Sequence, residues 1–327
     1  MFCDILRGKM TGVNLLFHKE KLIALCLIPV LLFAGCGKTE SSGTTIQATT
    51  TTTTTTAATT AETSTVPTET TIDIKTSTID NGYLQQATVD GVSYSLTIDL
   101  AKWEKNTSME QIGTLEEVFW EVYPRLYKRF GEYSKAPVDV VLHIENEGYE
   151  IAEAWENNVH IHDQWLMNNP TDFDCFVHEL AHVIQNGWDE EYLEYSGYIE
   201  RFADYCRFIY AFKNGLYNDE GWELQTVENE PDRESSVRFL VWLDYNLSSP
   251  DRDFILNYFR ICSSMKYEKT AWDKAWAELF KGTKFEGMSI DKVWELYASS
   301  DFAMLSSYSG SNGTSELLTK YDIRSRY

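Results

Sequence analysis

The pattern of apolar and polar residues changes along the chain. In the segments GVSYSLTIDL (91–100) and VDVVLHIE (138–145), apolar residues alternate with polar ones, which predicts strands with one buried face. One helix is predicted between them, and the later part of the chain has the spacing of helices almost throughout. This order predicts an α+β fold with a small N-terminal sheet and a mostly helical C-terminal half.

The segment FDCFVHELAHVIQN (173–186) has the pattern of an amphipathic helix. His178 and His182 lie one turn apart on the polar side, so both imidazoles can converge on one point, and Glu179 lies close to both. At about 100° per residue, the apolar side chains form a single stripe that can anchor the helix on a core. The stripe consists of Phe173, Phe176, Val177, Leu180 and Ile184.

This His-Glu-x-x-His spacing is typical of a zinc site. Two imidazoles at i and i+4 bind the ion, and the neighbouring carboxylate can take a proton from water that the ion activates. Glu179 is therefore predicted to be the general base. The alternative is an amphipathic helix with two solvated histidines, and a third ligand would decide between them.

A second helix is predicted in SGYIERFADYCRFIYAF (196–212), where Glu200 and Asp204 share one face. In zincins whose third ligand is Glu, that residue lies on a second helix, and an acidic residue one turn later often orients a ligating imidazole. We therefore predict Glu200 as the third ligand and Asp204 as the orienting carboxylate. The alternative for Glu200 is a solvated helix carboxylate, which is the usual fate of Glu.

Seven ordered segments of the chain carry a family resemblance. They are EVYPRLYKRFG (121–131), VDVVLHIE (138–145), EAWENNVHIHDQWL (153–166), HELAHVIQ (178–185), YIERFADYCR (198–207), SSVRFLVWLDY (235–245) and KVWELY (292–297). Together they resemble the basic secretory proteins of plants and bacteria, which look like zinc metallopeptidases of the gluzincin type. The resemblance covers most of residues 90–300. It implies a zincin-like fold, bound Zn²⁺ and a protein or peptide substrate.

The chain departs from that family after the proposed ligand Glu200. The family usually has Gly at the next position, whereas this chain has Arg201, a bulky cation that is expected to narrow the cleft or to pair with a substrate carboxylate. Arg201 favours an alternative function, in which the chain is a catalytically inactive surface lipoprotein of the same fold. Such a protein would bind a protein or glycan ligand.

The chain is acidic, with 28 Lys and Arg against 50 Asp and Glu and a net charge of −22. Nucleic acid is not expected as a partner, because phosphate binding needs clustered Lys and Arg. A solvated extracellular surface explains the acidity, and a preference for cationic substrates is the alternative. We expect a monomer.

The N-terminal region predicts export and anchoring. Residues 1–36 contain the apolar run LIALCLIPVLLFAGC (22–36), which is short for a membrane span and is typical of a signal peptide. Ala34 and Gly35 before Cys36 resemble a bacterial lipobox, so Cys36 is expected to carry the lipid that holds the protein on the cell envelope. A plain signal peptide or an uncleaved anchor is the alternative.

The rest of the chain divides into three predicted parts. Residues 37–80 are rich in Thr and predict a disordered tether. Residues 81–305 form the metallopeptidase-like domain, which would lie outside the cell, and residues 306–327 form a C-terminal tail. A solute-binding lipoprotein shares the signal and the tether, but it usually needs two α/β lobes, and the helical second half disfavours it.

Two further groups of residues have competing interpretations. Cys175, Cys206 and Cys262 are expected to be buried free thiols, with a Cys175–Cys206 bond or a fourth metal ligand as alternatives. His160 and His162 alternate with apolar residues, so both face one side of a strand. They are expected on an exposed strand face, and the alternative is a wall of the substrate cleft.

Overall fold

A six-stranded sheet forms the N-terminal part of the fold. The computed structural model describes residues 72–146, 151–188, 197–215, 224–264, 271–307 and 315–324. The strands lie in the order β1-β2-β3-β4-β6-β5, and β3, β4 and β6 run parallel while the remaining pairs are antiparallel. Their bounds are β1 Lys75–Ile79, β2 Gly82–Val89, β3 Val92–Asp99, β4 Asp139–Glu145, β5 Ala152–Trp155 and β6 Asn158–His162.

The turn between β2 and β3 fixes the register of the sheet. Asp90 and Gly91 have φ angles of 52° and 84°, the positive values that a two-residue type I′ hairpin needs at both central positions. Val89 therefore pairs with Val92, and the pairing continues to Gly82 and Asp99 at the far end. This register places Leu96 and Ile98, both fully buried, on the core face of β3.

Helix α1, Met109–Phe130, connects the parallel strands β3 and β4, which only a crossover segment can join. Its start is set by a capping box, in which the Ser108 hydroxyl accepts from the Gln111 backbone and the Gln111 side chain accepts from the Ser108 backbone. The helix buries its apolar face, including Leu115, Val118 and Leu126, in the same core as the sheet.

The rest of the described chain is helical. The helices are α2 Asp163–Asn168, α3 Asp174–Ile184, α4 Tyr198–Ile209, α5 Val237–Leu247, α6 Phe254–Ser264, α7 Ala271–Phe280, α8 Ile290–Ala298 and α9 Glu316–Lys320. Helix α3 packs between the sheet edge formed by β5 and β6 and the helices α1 and α4. The predicted α+β fold is confirmed. No helix in the described ranges has the length and apolar character to cross a membrane.

The folded region is wider than the predicted boundaries of 81 and 305. Strand β1 lies inside the range 37–80, which was predicted to be disordered, because its backbone pairs with β2 along five residues. At the other end, Leu317 and Ile323 are buried in the core, so part of the predicted tail 306–327 packs on the domain. The signal peptide 1–36, Cys36 and the tether up to residue 71 lie outside the described residues.

Arg238 on α5 joins three parts of the helical half. Its guanidinium is fully buried and donates to the carbonyl oxygens of Gln225 at 2.8 Å, Phe302 at 3.0 Å and Leu305 at 2.6 Å, and also to Leu224. The buried charge is therefore stabilised by carbonyl dipoles, and the Leu224 carbonyl also accepts from the Ser307 hydroxyl.

We expect Arg238→Met to lower the free energy of unfolding by about 3–5 kcal/mol, because four carbonyls in and beside the core lose this donor, although that of Leu224 keeps the Ser307 hydroxyl. Arg233→Met is the matched control, since Arg233 pairs with exposed Asp291 at the surface and such pairs contribute about 0–1 kcal/mol. Urea denaturation measures both. Equal effects in the two variants would contradict the role given to Arg238.

Candidate metal centre

The two histidines of α3 are positioned by the apolar side of the helix. Phe176, Val177, Leu180 and Ile184 are fully buried, so the helix cannot rotate without exposing them. His178 and His182 consequently project toward α4, and their side chains are both 9% exposed. Helix α4 brings Glu200, in its first turn, to the same place. Glu200 is 37% exposed, so the cluster opens to solvent on its side.

Three ligand atoms converge. His178 Nε2 and His182 Nε2 lie 3.0 Å apart, and Glu200 Oε2 lies 3.2 Å from the first and 3.6 Å from the second. Ligands around a tetrahedral zinc ion, with bonds of about 2.0–2.1 Å, lie about 3.3 Å from one another. Among the described residues, His178, His182 and Glu200 form the group of His, Cys, Asp and Glu that can hold a metal ion.

Each imidazole is oriented by a second hydrogen bond on its far side. His178 Nδ1 lies 2.8 Å from Asp204 Oδ1, which places Asp204 in its predicted position. His182 Nδ1 lies 2.8 Å from Gln185 Oε1. The Gln185 amide nitrogen donates to the Ile199 carbonyl at 3.0 Å, so its oxygen is the end that faces His182. Gln185 thus links the ligands of α3 to the start of α4.

These partners determine the tautomers of the two rings. A carboxylate and an amide oxygen are acceptors only, so both imidazoles carry their hydrogen on Nδ1. Both Nε2 lone pairs then point toward the Glu200 carboxylate. Three electron-rich atoms at this distance repel one another unless a positive charge lies among them. The donor set therefore fits a divalent metal ion bound by nitrogen and oxygen.

The electrostatics of the cluster also favour positive charge. Burial alone would lower the pKa of His178, but Asp204 and then Glu200 and Glu179 raise it well above its usual range. Burial alone would raise the pKa of Glu200, but His182 and His178, in their protonated forms, lower it well below its usual range. The carboxylates thus stabilise a cation at this point, whether it is a proton on an imidazole or a metal ion.

Glu179 is buried beside the cluster, at 7% exposure. Its charge is one of the causes that raise the pKa of His178, as expected of a carboxylate near the ligand atoms. Glu179 directly follows His178 on α3, and its role as a base remains a prediction.

Arg201 does not face the cluster, so the expectation that it narrows the cleft is wrong. Successive helix residues point about 100° apart, which turns Arg201 away from the side of Glu200. Its side chain is buried under the ring of Tyr198, 4.3 Å from the centroid. Its guanidinium donates to the Arg233 carbonyl at 2.9 Å and to the Tyr258 hydroxyl at 3.1 Å. Arg201 therefore packs α4 against α6.

The structure decides between the interpretations of the cysteines. Cys175, Cys206 and Cys262 are free and buried, so no Cys175–Cys206 bond is formed, and none of the three belongs to the group of described residues that can hold a metal ion. Burial raises the pKa of Cys175 well above its usual range, and its thiol donates to the Asp172 carbonyl.

His160 and His162 do not form an exposed strand face together. His160 is 8% exposed and is stacked between Trp155 and His143, with ring centroids at 4.1 Å and 4.2 Å. Its Nδ1 bonds to Glu145. The prediction of exposure was wrong for His160. Alternation of apolar and polar residues shows which face of a strand a side chain is on, but not whether other side chains, here Trp155 and His143, cover that face.

We expect Gln185→Leu to weaken zinc binding by about 10–100-fold, as the loss of an outer hydrogen-bond partner does in other metal sites. Leucine fills a similar volume but leaves His182 without the acceptor that holds its tautomer. Competition with a fluorescent zinc chelator measures the affinity. Gln225→Leu, at an exposed position, is the control, and equal affinity in the Gln185 and Gln225 variants would contradict the role of Gln185.

Comparison of the chain with protein-family models, with curated proteins and with solved structures finds no match.

Proposed function

We propose that this chain is a zinc metallopeptidase. The observation that carries the proposal is the convergence of His178 Nε2, His182 Nε2 and Glu200 Oε2 within 3.0–3.6 Å, with both imidazoles held in the ligating tautomer by Asp204 and Gln185. Two histidines and one carboxylate leave a fourth position of a tetrahedral ion open, which is the arrangement of catalytic rather than structural zinc sites. The resemblance to basic secretory proteins and gluzincins supports the same proposal.

Each residue of the site has a distinct role in the proposed reaction. His178, His182 and Glu200 bind the ion, and Asp204 and Gln185 keep the two rings oriented. When bound, zinc lowers the pKa of a water ligand to about 7 and polarises a carbonyl group. Glu179 accepts the proton of the attacking water and returns it to the leaving amine of the peptide bond.

The surroundings of the domain are part of the proposal. Lipidation of Cys36 would hold the chain on the bacterial cell envelope, with the domain outside the cell, acting as a monomer on extracellular protein or peptides. Arg201, next to the proposed ligand Glu200, was the residue that most favoured the inactive-lipoprotein alternative. Because Arg201 is buried between α4 and α6, it no longer favours that alternative.

The proposal is tested on the purified full chain by elemental analysis together with digestion of casein. We expect one zinc per chain, together with hydrolysis that a chelator stops and added zinc restores. A chain that binds one zinc and cleaves no protein or peptide would overturn the peptidase function, and a chain that binds no zinc would overturn the metal site as well.

A further inference from the structure

The outer face of the sheet carries a stack of three aromatic rings. Strand residues alternate between the two faces, so the buried Ala154 and Val159 face the core, where α3 packs on β5 and β6. Trp155 and His160 therefore face outward. Their ring centroids lie 4.1 Å apart with the planes at 14°, and His160 lies 4.2 Å from His143 with the planes at 10°. The stack thus ends in Trp155, on the edge strand β5.

Trp155 presents one side of its indole to solvent. Its side chain is 47% exposed, although tryptophan is highly buried on average. His160 covers one face of the indole, so the exposed part is the opposite face and the rim of the ring. Within the described ranges, no atom accepts a hydrogen bond from the indole N–H. Because the stack holds the ring in place, little rotamer freedom is lost when a ligand lies on it.

A chain of hydrogen-bonded polar side chains lies beside this indole. Asn158 is the residue opposite Trp155 in the hairpin of β5 and β6. Asn158 donates to the side-chain oxygen of Asn157 at 3.1 Å, and Asn157 donates to the Asp139 carboxylate at 3.0 Å. The carboxylate only accepts, so it fixes the orientation of both amides, and the Asn158 oxygen faces His143 at 3.0 Å.

The polar chain has hydrogen-bonding capacity left for a ligand. Each amide nitrogen carries a second hydrogen, and the Asp139 carboxylate has further lone pairs. A donor and an acceptor are therefore presented side by side at the rim of the exposed ring. The aromatic platform consists of Trp155, Asn157, Asn158 and Asp139.

We propose that the aromatic platform binds a sugar ring with equatorial hydroxyls, such as a glucose or N-acetylglucosamine unit of a neutral glycan. The face of such a ring carries C–H groups, which pack on the electron-rich face of an indole. The hydroxyls at its edge both donate and accept, so they match the amides, the carboxylate and the indole N–H at the same time.

Three other ligands that stack on aromatic rings match the platform less well. An ammonium or guanidinium group has donors only, so it would leave the indole N–H and the amide hydrogens without acceptors. A proline ring has no N–H, so it has nothing to donate to Asp139. A nucleic acid carries phosphates, and the net charge of −22 on this chain repels them.

The test is calorimetric titration of the purified full chain with cellotetraose and, separately, with chitotetraose, which are both uncharged. We expect saturable binding of at least one sugar, insensitive to salt, that weakens about tenfold or more in Trp155→Ala. Trp155→Phe keeps a ring on His160 and should bind with intermediate affinity. Asn157→Ala removes a polar contact without touching the stack and should also weaken binding. The control is Leu296→Ala, which removes a 38% exposed apolar side chain on α8 and should bind as the unmodified chain does.

Several results would overturn the proposal. They are an absence of binding to both sugars, unchanged affinity in Trp155→Ala, and an equal loss of affinity in Leu296→Ala. Equal or tighter binding of tetra-arginine or tetraproline would assign the platform to a cation or to a proline-rich peptide instead. Glu200→Gln should keep its affinity for the sugar, because Glu200 lies on α4 and the platform on the outer face of the sheet. The sugar proposal and the peptidase proposal can therefore fail separately.

Discussion

Glu179→Gln is expected to reduce peptide hydrolysis by about 10²–10⁴-fold while the chain keeps one zinc ion. The substitution preserves the size of a side chain that is 7% exposed, so the packing of α3 is retained. The amide cannot accept the proton of the attacking water, and the ligands His178, His182 and Glu200 are untouched. This variant is therefore expected to lose activity without losing its zinc ion.

The measurement is the initial rate of casein hydrolysis beside the zinc content of the same preparation. Glu295→Gln is the control, because Glu295 lies on α8 with its side chain 65% exposed and pairs only with Lys292 among the described residues. Its rate should equal that of the unmodified chain. Unchanged hydrolysis in Glu179→Gln, with zinc present, would refute Glu179 as the base.

The helical pattern made the ligands of the candidate site predictable. The i, i+4 spacing places His178 and His182 on one face whatever the rest of the fold does, and the same rule places Asp204 one turn beyond Glu200. The sequence did not reveal that Gln185 holds His182. Gln185 lies just beyond α3, and its orientation depends on the Ile199 carbonyl of another helix.

Features that depend on tertiary contacts were missed for the same reason. The composition of residues 37–80 predicted disorder, but β1 forms there because its backbone pairs with the neighbouring strand β2. The direction of Arg201 depends on the rings of Tyr198 and Tyr258, which α4 and α6 bring together.

Glu200→Gln is expected to abolish stoichiometric zinc binding and, with it, hydrolysis. The carboxylate brings the negative charge to the three-atom cluster, and an amide is a much poorer ligand for a divalent ion. The loss of affinity should exceed the roughly 10–100-fold expected for Gln185→Leu, which removes an outer partner only. Because Glu200 is 37% exposed, its amide can be solvated, and Asp204 and Gln185 still hold the rings.

Thermal unfolding of the full chain, with and without zinc, distinguishes loss of the ligand from loss of the fold. Free zinc at a concentration about 1,000 times its Kd stabilises the folded state by about 4 kcal/mol. Zinc should therefore raise the Tm of the unmodified chain and of Glu179→Gln. In Glu200→Gln the metal-free Tm should be close to normal, whereas the rise with zinc should disappear. A full zinc-dependent rise in this variant would show that residue 200 is not a ligand, and the site would then need another third donor.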